Sequence, residues 1–416
     1  MSIHHNDSFM INQAPALKKR QLILLLGAVV AMTAFSIDMY LPSIPEMAQS
    51  FTSNISTVEL TISLFFIGFA LGQFCGGPLS DHFGRKKVML LGLSIYVFAT
   101  SCIILTTNLH FLDMLRVMQG FGGGFTSVNV AAFVKDLYNE KESARMLSKI
   151  ASVRMCAPMI APLLGSIFAK TGHWQAVFLF LLIYCISILT GVYRKIPLRS
   201  MPKETNKSVW SSFGRYKKIV ANQWGICYIL TGTFALCGLY AFMSKATSIF
   251  VDTYHVSAQL FPWLFTVCVL GMIIISRWSQ YLLKNFESKQ MVQWGITICL
   301  LSGFILFAMV EYKRPNLWLL LSFNVIFVSA LGFIFGHING CILSCYPGAT
   351  GTANASYGLV RFSIAGIIGS LIHWMGQGVL NSTYEMMFGC ALLSNICFYG
   401  LRPRTASFRR KKALSA

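Results

Sequence analysis

The stretch Gly76–Lys87, GGPLSDHFGRKK, separates two long apolar runs, one beginning near Leu60 and the next near Val88. Gly77 and Gly84 permit a tight turn, and Asp81 set against Arg85 and Lys86 supplies opposed charges that can lock neighbouring helix ends. So short a polar segment between two apolar runs reads as a hairpin joining two membrane spans, with its basic end in the cytosol. A merely basic turn has no need of an aspartate ahead of the glycine and the basic cluster.

Runs of the same character begin near Gln21, Leu60, Val88, Phe111, Leu147, Trp174, Trp224, Leu260, Met291, Leu317, Tyr357 and Tyr384. Each approaches the roughly 20 helical residues that cross about 30 Å of hydrocarbon. The eighth is the weakest, interrupted by Ser276, Arg277 and Trp278. The 416 residues are 55% apolar and only 12% charged, with a mean hydropathy of +0.62, which excludes an ordinary soluble domain. The 12 cysteines form no metal-type pair and lie mostly inside apolar runs, as small packing residues. Nor is there a phosphate-binding lysine loop, a nucleophile elbow or a pair of catalytic carboxylates, so neither ATP-driven pumping nor any enzyme activity is expected.

The net charge of +20 would raise the question of nucleic acid in a soluble chain. Placement answers it, since 27 of the 34 basic residues fall in segments assigned to one side if the N-terminus is cytosolic, while Lys170, Lys313 and Arg314 fall on the other. That asymmetry is the positive-inside rule; it puts both termini in the cytosol and the basic stretches against anionic lipid. The longest polar segment divides the spans six and six. The expected organisation is an all-α polytopic protein of 12 transmembrane helices: a tail over 1–20, a six-helix bundle over 21–193, a basic linker over 194–222, a second bundle over 223–402 and a tail over 403–416. Two equal bundles of this kind outline a transporter whose halves rock around a central site.

The loop GPLSDHFGRK resembles the signature loop of the major facilitator superfamily, with His82 in place of the usual basic residue. Three further segments, SIDMYLPSIP from Ser36, RVMQGFGGG from Arg116 and APMIAPLLGS from Ala157, are similar to those of its drug:proton antiporter branch, in particular the bicyclomycin and chloramphenicol resistance (Bcr/CflA) subfamily. The resemblance implies the major facilitator fold, with Gly77, Asp81, Gly84, Arg85 and Lys86 as a conformational-switch loop. It makes Pro158, Pro162 and Gly165 the antiporter helix motif, with Ser166 replacing the usual second glycine, and it assigns Arg116 to proton coupling.

Of the 14 acidic residues, Asp38 alone reads as clearly embedded, about 25 Å along the first span at helical rise. A buried carboxylate is costly unless protonated or paired, so Asp38 is the expected proton carrier and Arg116, at matching depth, its expected partner. Arg154 lies one turn before Pro158 and is expected to face water or substrate. Lys245, near an outer span end, faces the cavity or snorkels to the surface, and Arg361 is expected to reach the cytosolic interface. Tyr40, Gln119 and Asn324 complete the cavity candidates. Glycines at Gly68, Gly72 and Gly76 and at Gly332, Gly336 and Gly340 form stripes suited to close helix packing, while the cluster at Gly120, Gly122, Gly123 and Gly124 could thin a cavity wall.

The expected function is proton-coupled export of small amphipathic molecules, as multidrug efflux across a bacterial-type inner membrane, by a monomer with no cofactor beyond the proton gradient. The expected partners are a small-molecule substrate, protons and membrane lipid, and no metal or nucleic acid. A dedicated exporter of an anionic metabolite, such as a polycarboxylate siderophore, and a non-transporting sensor or scaffold are the alternatives.

Overall fold

The computed structural model describes residues 19–196, 219–257, 259–312, 315–346, 350–375 and 378–400. Residues 1–18 of the first expected tail, the whole second tail and most of the linker lie outside these, as do Lys313 and Arg314, while Lys19 and Arg20 open the first helix. The described residues form twelve long helices and no strand: α1 (Lys19–Asp38), α2 (Ile55–Phe83), α3 (Arg85–Leu105), α4 (Leu109–Leu137), α5 (Glu140–Ala169), α6 (Gln175–Lys195), α7 (Gln223–Thr247), α8 (Phe261–Leu282), α9 (Ser288–Tyr312), α10 (Leu317–Phe335), α11 (Thr350–Trp374) and α12 (Val379–Tyr399). Ten are long and apolar enough to cross a bilayer by composition alone. The other two, α4 and α12, are diluted by polar residues such as Arg116 and Gln119, or Asn381 and Glu385. The weak eighth run is one unbroken helix, because Arg277 and Trp278 fall on its exposed face while Ser276 and Ser279 are buried.

Asparagines start several of these helices. The side chains of Asn108, Asn139, Asn222 and Asn316 accept from the backbone amides of Phe111, Glu142, Gly225 and Trp318. Each satisfies an amide that the first helical turn leaves without a partner, an effect of about 1 kcal/mol. At the other end of α2, Gly84 takes a φ of 93°, a conformation that side-chain-bearing residues avoid, and the next residue opens α3.

The chain divides into two units, residues 1–54 with 64–210 and residues 55–63 with 211–416. The first turns of α2, Ile55–Ser63, thus cluster with the second unit and the rest of the helix with the first. Inside the first unit α1 packs on α5 and α6, and α3 on α4 and α6; inside the second, α7 packs on α11 and α12, and α9 on α10 and α12. Helix for helix these are the same pairings, shifted by six.

Close packing of α2 on α4 depends on missing side chains. A Cβ at Gly68 would lie 2.0 Å from the Val117 carbonyl oxygen, one at Gly72 2.1 Å from that of Phe121, and one at Gly124 2.0 Å from that of Phe69. Within the cluster from Gly120 to Gly124, Gly120 and Gly124 meet α2 and Gly122 meets Gly92 and Tyr96 of α3, while Gly123 has only the side chains of Phe69 and Met32 at ordinary contact distance. The second expected stripe holds only in part. Gly332 abuts the backbone of Met272 and Ser276, but Gly336 and Gly340 have nothing within 4 Å of their Cβ positions. The reason is that α10 ends at Phe335 and a separate short helix, His337–Ser344, follows, so the spacing of four no longer marks one face. Phe98, Met114, Ile167, Ile183, Ile274 and Phe304 are exposed, as expected of helices whose outer surface meets hydrocarbon.

Candidate functional site

In the first unit, Arg116 is fully buried on α4. It donates to Gln119 Oε1 at 2.6 Å and to the backbone carbonyl of Ser36 at 3.0 Å. Gln119 Nε2 in turn donates to Thr100 Oγ1 at 2.8 Å. The guanidinium carbon lies 4.8 Å from the ring centres of both Tyr40 and Phe65, and the Ser36 hydroxyl meets the Tyr96 hydroxyl at 2.5 Å. Four elements therefore hold this cation: α1, α2, α3 and α4.

The expected direct pair between Asp38 and Arg116 is not made. Asp38 is 1% exposed and its Oδ1 is buried with no hydrogen-bond partner. The reason is local. Asp38 is the last residue of α1, and Arg116 commits one terminal nitrogen to the carbonyl two residues earlier and the other to its own helix. Tyr40 and Gln119, offered as cavity residues, are buried parts of the arginine's enclosure.

The hairpin Gly76–Lys87 forms a clamp. Arg85 contacts Asp81 at 2.6 Å, Asp136 at the end of α4 at 3.1 Å, and the Ser80 hydroxyl. Lys86 donates to the Tyr193 carbonyl of α6 at 2.8 Å. One turn thus ties together the ends of α2, α3, α4 and α6. On α5, Pro158 and Pro162 each lack the amide that would bond back one turn. Gly165 sits against α1, its Cβ position 2.0 Å from the Met39 carbonyl oxygen and so beside Asp38. Arg154 is half-buried on the same helix.

In the second unit the structure departs further from expectation. Lys245 neither snorkels nor lines open space, being 1% exposed. Its ammonium lies 3.6 Å from Glu59 Oε2 and donates to the Ser56 hydroxyl at 2.9 Å and carbonyl at 3.2 Å. Glu59, itself 0% exposed, also accepts from the Ser248 amide at 2.9 Å and hydroxyl at 2.6 Å. Ser248 begins the π-helical turn Ser248–Thr253 that extends α7. Asp38 is therefore not the one embedded acid. The apolar run from Leu60 leaves Glu59 outside the span, whereas α2 begins at Ile55 and carries it inside; the sequence signal for it is Lys245, a lysine within α7 that needs a carboxylate. Asn324 is fully buried, donating to the Tyr384 hydroxyl at 2.7 Å and to the Leu320 carbonyl. Arg361, expected at the cytosolic interface, is 8% exposed and deep in α11, because that helix starts at Thr350 and not near Tyr357.

Comparison with known proteins gives these features a setting. The sequence profile described as the Major Facilitator Superfamily matches residues 24–370. A bicyclomycin resistance protein homolog of Haemophilus influenzae is 28% identical, with 93% of this chain and 97% of the relative aligned. Multidrug resistance protein D of Escherichia coli is 26% identical, with 92% and 96% covered. Among solved structures, a D-xylose–proton symporter superposes with a TM-score of 0.71 over 93% of this chain and 98% of its own, at 12% identity, a likeness of fold alone.

Proposed function

The chain belongs to the Major Facilitator Superfamily, and from that premise we propose that this multi-pass membrane protein is a proton-coupled exporter of small amphipathic molecules, a multidrug efflux transporter working by alternating access. The relatives named for bicyclomycin and multidrug resistance support export of drugs. The observation that carries the coupling is Asp38: a carboxylate buried with an oxygen lacking any partner, two residues from a carbonyl that a buried arginine holds. Such a group is stable in a dry site when protonated and ionises when water reaches it, so it can load a proton in one conformation and release it in another. Arg116 positions the end of α1 through the Ser36 carbonyl without binding the carboxylate.

The proton gradient is the energy source, with no cofactor. A membrane potential of 100 mV adds about 2.3 kcal/mol for each charge moved inward, which with a pH gradient drives uphill export. The setting that fits is a bacterial inner membrane with both termini cytosolic, the protein working as a monomer in contact with anionic lipid. The anionic-metabolite and sensor readings have no comparable support among the relatives.

The decisive measurement is proton movement in everted membrane vesicles on adding chloramphenicol or bicyclomycin. Wild type is expected to release protons from the lumen on addition of cargo, and Asp38→Asn to abolish that signal at equal expression. A signal that survives Asp38→Asn overturns the coupling assignment, and its absence in well-expressed wild type counts against drug–proton antiport.

A further inference from the structure

Arg361 has no part in the proton site. It lies eleven residues into the 25-residue helix α11, about 17 Å from the helix start at helical rise, hence near the middle of the span. Its guanidinium carbon is 5.1 Å from the Tyr357 ring centre and 4.5 Å from that of Phe362. Tyr240 of α7 packs on Phe362 at 5.7 Å. The ionisable groups around it are Tyr240, Tyr357 and Cys237, none of them a carboxylate. Among the described residues no acid pairs with it, whereas the other buried cation of this unit, Lys245, has Glu59. Arg361 Nε and the Tyr357 hydroxyl are both sealed from solvent, and apart from the guanidinium and the phenol facing each other neither has a hydrogen-bond partner.

A guanidinium at this depth persists when it is paired or faces water or a ligand, and arginines within spans mark substrate paths for that reason. Stacking on two rings offsets part of its desolvation but leaves its in-plane donors unused. Those donors match a carboxylate, which accepts two parallel bonds from the fork, and the Tyr357 hydroxyl offers a third. A single cation in an apolar, aromatic setting compensates one delocalised negative charge; a doubly charged phosphate would leave a buried surplus. We propose that Arg361 and Tyr357 form an anion subsite that binds the carboxylate of an amphipathic cargo. It rests on the transport reading above and adds a carboxylate-bearing class to the cargo that reading covers.

The test uses a matched pair of probes, 4-phenylbutyrate and (4-phenylbutyl)trimethylammonium, which share a tail and differ in head charge. Equilibrium binding of each to the full chain in lipid nanodiscs is measured for wild type, Arg361→Gln, Arg361→Lys and Tyr357→Phe. Arg361→Gln is expected to weaken phenylbutyrate binding by about tenfold or more and leave the cation unchanged, with Arg361→Lys between the two. Tyr357→Phe is expected to weaken the anion alone by a smaller factor, and it retains the ring should Arg361→Gln fail to fold. Wild type that does not bind phenylbutyrate, or variants that leave both probes unchanged or weaken both equally, overturn the proposal. Binding involves no proton transfer, so charge-selective binding by a protein that moves no protons in vesicles counts against the coupling and leaves the subsite standing.

Discussion

At the scale of single residues, the pair formed by Glu59 and Lys245 shows how a membrane interior treats charge. Both side chains are essentially without solvent, and each has polar neighbours besides the other: Ser56 for the ammonium, Ser248 for the carboxylate. Desolvation is repaid in such a site only when every partner is present, and removing one partner leaves an uncompensated charge, at a cost of about 3–5 kcal/mol. Glu59→Gln and Lys245→Met are therefore each expected to lower the thermal midpoint of the purified protein markedly. The double variant is expected to recover most of the loss, since it removes both charges together. A double-mutant cycle on thermal unfolding in detergent checks this, and strictly additive losses would show that the two charges are not coupled.

At the scale of elements, the contact between α2 and α4 is a backbone-on-backbone approach. A side chain at Gly72 would meet the Phe121 carbonyl at 2.1 Å and the Phe125 amide at 2.7 Å, and neither can swing aside as the end of a side chain can. Gly72→Val is expected to force the helices apart and sharply reduce the yield of folded protein, whereas Gly340→Ala, with open space around it, is expected to be neutral. Comparing monodisperse yield after extraction separates the two. The stripe at Gly68, Gly72 and Gly76 was legible in the sequence because α2 is one unbroken helix, so a spacing of four marks one face. The stripe from Gly332 was not, because nothing in LGFIFGHING announces that the helix ends at Phe335. Helix ends limited the reading of the site in the same way. Reading the starts of α2 and α11 five to seven residues late hid Glu59 and moved Arg361 from mid-span to the interface. Asp38 and Arg116 were legible as buried groups at related depth; that the arginine reaches the Ser36 carbonyl and not the carboxylate is a matter of side-chain geometry that spacing alone does not carry.

At the scale of the whole molecule, each unit repeats one scheme of helix pairs, and loops rich in basic residues recur after every second helix. The repeat allows a direct statement about orientation. The loops after even-numbered helices carry the basic residues, as at Arg85, Lys86 and Lys87 and at Lys284 and Lys289. Those after odd-numbered helices carry few, Lys170 being one, and the segment Thr106–Asn108 has none. Each basic residue near an anionic cytosolic leaflet contributes about 1 kcal/mol, so the summed bias over many loops is expected to favour one orientation. Thr171 follows an odd-numbered helix and Lys284 an even-numbered one, and both are exposed loop positions. A membrane-impermeant maleimide applied to intact cells is expected to label Thr171→Cys above the wild-type background and to leave Lys284→Cys unlabelled until the membrane is opened. Reversed labelling would place the hairpin Gly76–Lys87 outside the cell, away from the anionic leaflet its lysines and arginine suit, and would overturn the inward direction assigned to proton entry at Asp38. Equal labelling of both from outside would show that the basic loops do not set a single topology.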